Sequence, residues 1–392
     1  MDATTLRLIN TVLRSYRREL FQNVVPFWEK HGIDRKCGGF FTCLDRTGKL
    51  YSTDKYMWLQ ARAVWMFARL HNQCDQRCAW LELAQRGADF IRAFGRAPDG
   101  RVYFSVTRDG RPIHIQRKIY AEVFYVIAMA EMAKATGRAE YLTEARELFW
   151  QTYHSWQHPE SLGRPILPGA PRCTALADPM VFLSMIEELE TLDPDPRYDD
   201  LARNMTQIAL RHVKPKRKLV FENVGPKGEL IDSPKGRLLN PGHAIEMGWF
   251  LIHRARRAND PKLLQTALDI IDWSLAAGWD KKYGGLFYFL DADGRPPTQL
   301  EWSMKLWWPA TEAMYALLLA WSVSGRKRYL DWHSKVNDWA FAHFRDRRYG
   351  EWFGYLDRSG VPTHMLKGGE WKGFFNLPRA LLYSIQLLSS KK

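Results

Sequence analysis

The sequence predicts an all-α fold, an (α/α)6 barrel in which six inner and six outer helices alternate along the chain. Two observations predict it. A short strand-like motif that ends in a glycine turn recurs every 61 to 67 residues, with one gap of 118 residues that spans two repeats. Between these motifs the helical hydrophobic patterns come in pairs, one member apolar on all sides and the other half polar.

The recurring motif is clearest over residues 38–48, 284–294 and 349–360, where Gly-rich strand-like runs close in an Asp-containing turn. Related copies cover 98–110 and 218–228, and Gly163-Arg-Pro-Ile-Leu167 is a degenerate copy inside the long gap. Six repeats result, each long enough for two helices and a hairpin. We therefore expect one catalytic domain over residues 1–392.

Twelve helical patterns fit this arrangement. They lie near 5–30, 55–72, 78–95, 117–136, 139–157, 175–192, 197–213, 241–259, 261–278, 304–324, 327–345 and 372–389. Helices that follow a motif are apolar all round and form the predicted inner ring, and those between form the outer ring. Short β-hairpins are expected at the end where inner helices begin. An open helical solenoid would give the same repeat and is the alternative.

Composition narrows the classes of partner. The formal charge of +14 comes from scattered Lys and Arg, and the one compact basic run, Lys214-Pro-Lys-Arg-Lys218, is interpreted as a solvated turn. No stretch reaches about 18 apolar residues, and no signal core begins the chain. Five cysteines lack zinc-type spacing, and His154 and His158 lie on a polar outer helix. We expect a soluble cytoplasmic protein without metal, nucleic-acid or membrane partners.

One inner helix begins with Asn240-Pro-Gly-His-Ala-Ile-Glu246. Pro and Gly turn the chain into the helix. His243 and Glu246 then share a face near its start. Histidine is the side chain best suited to proton transfer near neutral pH, so His243 is a candidate base. The alternative is an ordinary helix start whose histidine only caps or packs.

Other polar and aromatic residues fall near the same ends of the inner helices. They are Trp58, Arg62, Glu122, Lys305, Trp308, Glu312, Asn376 and Arg379. A guanidinium among indole rings, such as Arg62, is costly to bury unless it binds something. Each charged residue could instead form a structural ion pair, but the position of all of them near the same ends of the inner helices favours one pocket. Seventeen Trp suit sugar rings as well as helix packing. No glycine-rich nucleotide loop occurs.

The chain resembles the N-acylglucosamine 2-epimerase family over nearly its whole length. The strings that carry the resemblance include Lys55-Tyr-Met-Trp-Leu-Gln-Ala-Arg62, Asn240-Pro-Gly-His243, Gly284-Gly-Leu-Phe-Tyr-Phe289, Lys305-Leu-Trp-Trp-Pro309 and Gly350-Glu-Trp-Phe-Gly-Tyr-Leu356. The resemblance implies a homodimeric (α/α)6 barrel that interconverts N-acetylglucosamine and N-acetylmannosamine. It implies no cofactor for the chemistry, although some members need ATP as an allosteric activator.

The chemistry implied by the resemblance opens the sugar ring, removes the C2 proton and returns a proton to the opposite face. His243 would be one base. Arg62 and Arg379 would stabilise the enolate oxygen. Glu246 and Glu312 would orient a histidine or help to open the ring, and Trp58, Trp308, Lys305 and Glu122 would complete the substrate site.

The second base of the family is expected in Lys-Gly-x-Phe-His-x-Pro-Arg, but this chain has Lys372-Gly-Phe-Phe-Asn376-Leu-Pro-Arg379. An amide does not titrate, although it can form hydrogen bonds like one imidazole nitrogen. The chain is therefore an inactivated epimerase, or it performs altered chemistry, or another group supplies the second proton.

Three other functions stay open at this stage. One is an epimerase or aldose–ketose isomerase for unacylated sugars such as mannose, glucose or cellobiose. Another is a glycoside hydrolase with paired carboxylates. The third is a non-catalytic binder of a sugar or a protein.

Overall fold

The computed structural model of the chain describes residues 2–75, 77–164 and 167–390. Its α-helices in chain order are α1 (Ala3–Glu19), α2 (Val25–His31), α3 (Met57–Leu70), α4 (Cys78–Phe94), α5 (Tyr120–Thr136), α6 (Ala139–Gln157), α7 (Ala177–Leu189), α8 (Arg197–Arg211), α9 (Pro241–Ala258), α10 (Pro261–Gly278), α11 (Trp307–Ser324), α12 (Arg328–His343) and α13 (Asn376–Ser389). Among the described helices none is long and apolar enough to cross a membrane.

The helices form two rings. From α3 onward the odd-numbered helices are inner, and α11 is buried without interruption over residues 309–320. The even-numbered helices and α1 are outer; α8, for example, buries one stripe that includes Tyr198, Leu201 and Met205. Each outer helix packs on an inner one, with α1 against α13. This alternation confirms the predicted fold class.

Aromatic contacts close the inner ring. Successive inner helices pack on each other from α3 to α13. The ring of Trp65 on α3 then lies 5.2 Å from that of Phe375, next to α13, and 6.2 Å from that of Tyr383 on α13. The first and last inner helices are therefore neighbours, which excludes the open solenoid.

Helix boundaries differ from the sequence prediction where local chemistry interrupts the pattern. The first predicted helix is divided by a π-helical turn, Leu20–Val24, directly before Pro26. Proline has no N–H to donate and crowds the preceding turn, which this widened turn accommodates. The helices predicted from 304 and 372 begin later, at Trp307 and Asn376.

Short strands join the loops that precede the inner helices. They are β1 (Lys55–Tyr56), β2 (Ser105–Val106), β3 (Pro112–His114), β4 (Thr174–Ala175), β5 (Val213–Lys214), β6 (Leu219–Val220), β7 (Asn223–Val224), β8 (Leu238–Leu239), β9 (Leu290–Asp291), β10 (Lys305–Leu306) and β11 (Tyr355–Leu356). The pairs β2–β3 and β5–β6 are local hairpins, whereas β1–β2, β4–β7, β8–β9 and β10–β11 each connect two successive loops. Residues 165 and 166 of the degenerate motif lie outside the described residues.

Three equivalent Asp–Lys–Arg clusters hold these loops. In each, an aspartate in the turn after an outer helix pairs with a lysine later in its own loop and an arginine from the next loop around the ring. The clusters are Asp34 with Lys55 (3.0 Å) and Arg108 (2.9 Å), Asp280 with Lys305 (3.1 Å) and Arg358 (2.8 Å), and Asp346 with Lys367 (3.0 Å) and Arg46 (2.7 Å). The third joins the last loop to the first.

The aspartates of these clusters are ionised at neutral pH. Burial opposes the charge of Asp280, but hydrogen bonds from Arg358, the Lys282 N–H and Lys305 hold the pKa of Asp280 well below its usual range. A carboxyl whose pKa is lower in the folded chain stabilises the fold above the unfolded pKa of about 4. This stabilisation is lost only as the pH falls through the lower, folded value.

We expect Asp280→Asn to destabilise the fold by about 3 kcal/mol, because Lys305 becomes a buried charge without a carboxylate partner. Urea unfolding measures the change. Lys305→Met in the same background should restore part of the stability, and Asp293→Asn, which removes an exposed ion pair, should leave it nearly unchanged. Equal stability of Asp280→Asn and the parent would contradict this role of the cluster.

Candidate active site

A cavity of about 730 Å³ opens at the end of the barrel where the inner helices begin. Side chains from all six inner helices and from the loops before α5, α9, α11 and α13 line it. They include Trp58, Arg62, Phe124, Ala177, Met180, Val181, Ser184, Glu222, His243, Glu246, Phe250, Tyr288, Trp308, Trp371, Asn376 and Arg379. The structure thus brings most of the candidates predicted from the sequence into one site.

His243 enters the cavity from the first turn of α9. Asn240 caps this helix, because its side-chain oxygen accepts the His243 N–H at 3.2 Å. The imidazole Nδ1 lies 3.0 and 3.1 Å from the two carboxylate oxygens of Glu222, and its ring packs 5.1 Å from that of Trp308. No described residue bonds the Nε2 atom, so this nitrogen is free for a ligand.

The charges around His243 favour its protonated form. Burial alone disfavours the imidazolium, but the carboxylates of Glu222, Glu246 and Glu312 outweigh it and raise the pKa of His243 above its usual value. A base with a raised pKa holds a captured proton more firmly. From the sequence, Glu246 and Glu312 are predicted to orient a histidine or to help open the ring; the carboxylate that contacts the imidazole of His243 is that of Glu222.

Arg379 links two carboxylates at the cavity floor. Its Nη2 donates to Glu246 at 2.9 Å and to Glu312 at 2.6 Å. Glu312 also accepts from the Trp249 indole at 3.1 Å and from the Asn376 amide at 3.1 Å. Glu312 is only 1% exposed and does not line the cavity, so its role is to hold Arg379 and Asn376 in place. Glu246, by contrast, lines the cavity.

Asn376 is the first residue of α13 and faces both Glu312 and the cavity. It occupies the position where the family resemblance leads us to expect a histidine. Two equivalent pairs therefore lie at the site, a histidine on Glu222 and an amide on Glu312. In the second pair the carboxylate of Glu312 is present, but the amide of Asn376 cannot act as a base.

Arg62 faces the cavity without a carboxylate partner among the described residues. Its guanidinium carbon lies 3.8 Å from the ring centre of Phe124, 4.2 Å from that of Trp58 and 4.8 Å from that of Phe375. Its buried Nε has no hydrogen-bond partner. Burial, with the charge of Arg379, lowers the pKa of Arg62 to about 9. A cation held this way is available to an anionic oxygen.

Two predicted substrate-binding residues do not reach this cavity. Lys305 is 1% exposed and binds Asp280, so it holds the loop and not a ligand. Glu122 is buried and accepts the Val102 N–H at 2.9 Å; burial raises its pKa to about 7. Glu122 lies in the first turn of α5 and Lys305 lies in β10, two residues before α11, and both side chains point into the loop packing. Their substrate-binding assignment is corrected.

Several residues that line the cavity were not predicted from the sequence. Glu222 is the most important, and it lies in the loop motif that precedes α9, between β6 and β7. An acidic residue inside an apolar strand-like run was the available signal. Trp371, which is 48% exposed, and the loop residue Tyr288 also line the cavity. Loop residues carry no helical periodicity, so their position could not be read from the pattern.

Comparisons with known proteins show which family the chain belongs to. Residues 39–376 match the sequence model of the N-acylglucosamine 2-epimerase family. The chain is 44% identical to N-acylglucosamine 2-epimerase of Mus musculus, over 94% of this chain and 90% of the relative, and 43% identical to that of Homo sapiens, over 94% and 88%. Cellobiose 2-epimerase from Spirochaeta thermophila has the same fold, with a TM-score of 0.82, 24% identity and full coverage of both chains. The chain thus belongs to the N-acylglucosamine 2-epimerase family.

Proposed function

We propose that this protein, acting as one catalytic domain, is an isomerase that interconverts N-acetylglucosamine and N-acetylmannosamine at C2. The observation that carries the proposal is the imidazole of His243, held through Nδ1 by Glu222 with Nε2 free in the cavity. The activity named for the 44% identical mouse relative supports it. The reaction is redox-neutral, so it requires no redox cofactor.

In this mechanism His243 removes the C2 proton of the open-chain sugar. The hydrogen bond from Nδ1–H to Glu222 fixes the neutral tautomer with its lone pair on Nε2, and it stabilises the imidazolium that forms. Glu222 is thus a positioning residue. The raised pKa of His243 favours proton capture, and the base is active only above that pKa.

Loss of the C2 proton places negative charge on the aldehyde oxygen, and Arg62 is proposed to neutralise it. In the described structure no carboxylate must be released from this guanidinium first, and aromatic rings flank it. Arg379 is proposed to hold Glu246 in place and to contact a sugar oxygen with its remaining donors. Glu246 then assists ring opening, and Trp58 and Trp308 provide ring faces for the sugar.

Asn376 limits the return of a proton on the opposite face. Its amide donates to Glu312 and does not titrate in this pH range, so it cannot act as a general acid or base. We propose that the chain exchanges the C2 proton on one face faster than it completes epimerisation. The intact Glu222–His243 pair argues against a purely non-catalytic binder.

Beyond the reaction itself, we also propose activation by ATP, a homodimer and a cytoplasmic location. A basic cavity beside the mouth supports the first, because His114, Gln116, Arg117, Lys118 and Arg164 line it with no acidic residue among its described lining. Such a lining suits a polyphosphate. These residues would hold ATP as an activator, outside the proton-transfer chemistry.

The test of the proposed function is C2 proton exchange followed by NMR in heavy water. N-Acetylmannosamine should gain deuterium at C2, and His243→Ala should slow this by ~10²–10⁴-fold, the usual contribution of a positioned base. His154→Ala, an exposed histidine on α6, is the control. Mannose, cellobiose and an aryl glycoside, with and without ATP, test the other functions. Parent-like exchange by His243→Ala would overturn the assignment.

We expect Glu222→Gln to move the acidic limb of the exchange rate to lower pH. Removing the carboxylate lowers the pKa of His243, so the neutral base persists to lower pH, while the plateau rate falls by about 10-fold or more. The pH dependence of C2 exchange measures both effects. Glu229→Gln, in a turn of the same loop, should match the parent. An unchanged pH profile for Glu222→Gln would rule out its coupling to His243.

We expect Asn376→His to raise net epimerisation by ~10²–10⁴-fold, because the new imidazole finds the Glu312 carboxylate already in place. Conversion between the two N-acetyl sugars measures the gain. Asn376→Gln, which keeps an amide, should give none. If the parent already epimerises at a rate that Asn376→His does not improve, then another group supplies the second proton.

A further inference from the structure

The inner helices contribute unequally to the charge of the cavity wall. The residues with charged or titratable roles in the mechanism come from α3, α9, α13 and the loop before α9. By contrast, α7 contributes Ala177, Met180, Val181 and Ser184, of which none is charged. The part of the cavity wall formed by α7 therefore contacts a ligand through methyl and thioether groups and one hydroxyl.

These four residues follow steps of three, one and three, so they form one stripe over two helical turns. Met180 is 3% exposed and Ala177 is 9% exposed, although both line the cavity. Phe124 on α5 and Phe250 on α9 also line it, and these two helices flank α7. We call this set, residues 124, 177, 180, 181, 184 and 250, the apolar wall.

The apolar wall lines the same cavity as the reacting group. On α9, Phe250 lies seven residues after His243 and so shares its helix face, about two turns deeper in the barrel. The apolar wall is therefore the uncharged surface that this cavity offers to the substituents of a sugar whose C2 faces His243. Among these, the C2 substituent is the group that distinguishes an N-acyl sugar from a simple hexose.

Ser184 supplies one hydroxyl within this wall. Helical Thr152, Thr206 and Ser324 donate to the carbonyl four residues earlier, as such side chains commonly do. Ser184 makes no such bond in the described structure, and it lines the cavity. Its hydroxyl can therefore bond the amide of an acyl group whose methyl contacts Met180 and Val181.

We propose that the apolar wall is the subsite for the N-acyl group, with Met180 limiting the length of the acyl chain and Ser184 bonding its amide. This inference rests on the proposed function and adds the residues that select the substrate. A 2-hydroxyl sugar would leave this surface uncovered, so it would bind less well than the N-acetyl sugar.

Calorimetric binding tests the proposal without any need for catalysis. The parent should bind N-acetylmannosamine more tightly than N-butanoylmannosamine. Met180→Ala enlarges the subsite, so it should change the ratio of the two dissociation constants by ~10-fold in favour of the butanoyl sugar. Ser184→Ala should weaken binding of both acyl sugars and leave binding of mannose unchanged.

Met185→Ala is the matched control, because Met185 is buried on the same helix but does not line the cavity. It should lose similar packing and keep the parent ratio. An equal ratio for Met180→Ala and the parent, with binding and C2 exchange intact, would overturn the acyl subsite alone. If the parent neither binds nor exchanges any of these sugars, the proposed function fails as well. Thermal unfolding confirms that each variant is folded.

Discussion

Three clusters of ion pairs in the loops hold the site end of this barrel together. Each Asp–Lys–Arg cluster ties a turn to its own loop and to the next one around the ring, and Lys55, Lys305 and Lys367 are almost wholly buried within them. A buried ammonium is tolerated only with its partner, so these contacts fix the loops in one arrangement. The loop residues of the cavity depend on that arrangement.

The same physical constraint shapes the cavity itself. Three carboxylates, Glu222, Glu246 and Glu312, face His243 and Arg379 within a largely apolar barrel. Every one of these carboxylates has a hydrogen-bonding partner, whereas the contacts of the Arg62 guanidinium within the described part of the chain are with aromatic rings. The site therefore combines a fixed base, His243, with a cation, Arg62, that no described carboxylate binds. This is the charge arrangement that enolate formation requires.

The sequence predicted the ring architecture because the hydrophobic period and the repeated motif are both global signals. It also located His243, Glu246, Arg62 and Arg379, which lie on helices whose start and face can be read from the pattern. It failed for Lys305 and Glu122, since a charged residue at a helix start can face either the cavity or the loop. It missed Glu222 because a contact between a loop and a helix 21 residues later leaves no periodic trace.

The bridge between Arg46 and Asp346 has a consequence for how the chain folds. These partners are separated by 300 residues, and the aromatic contacts of Trp65 with α13 are similarly distant in sequence. Closing so long a loop costs entropy that is recovered only when the ring is complete. The sugar pocket, with Asn376 and Arg379 on α13, is thus assembled only after this helix has been synthesised. A chain synthesised only as far as α9 contains His243 but lacks Asn376 and Arg379, which form the floor of the cavity.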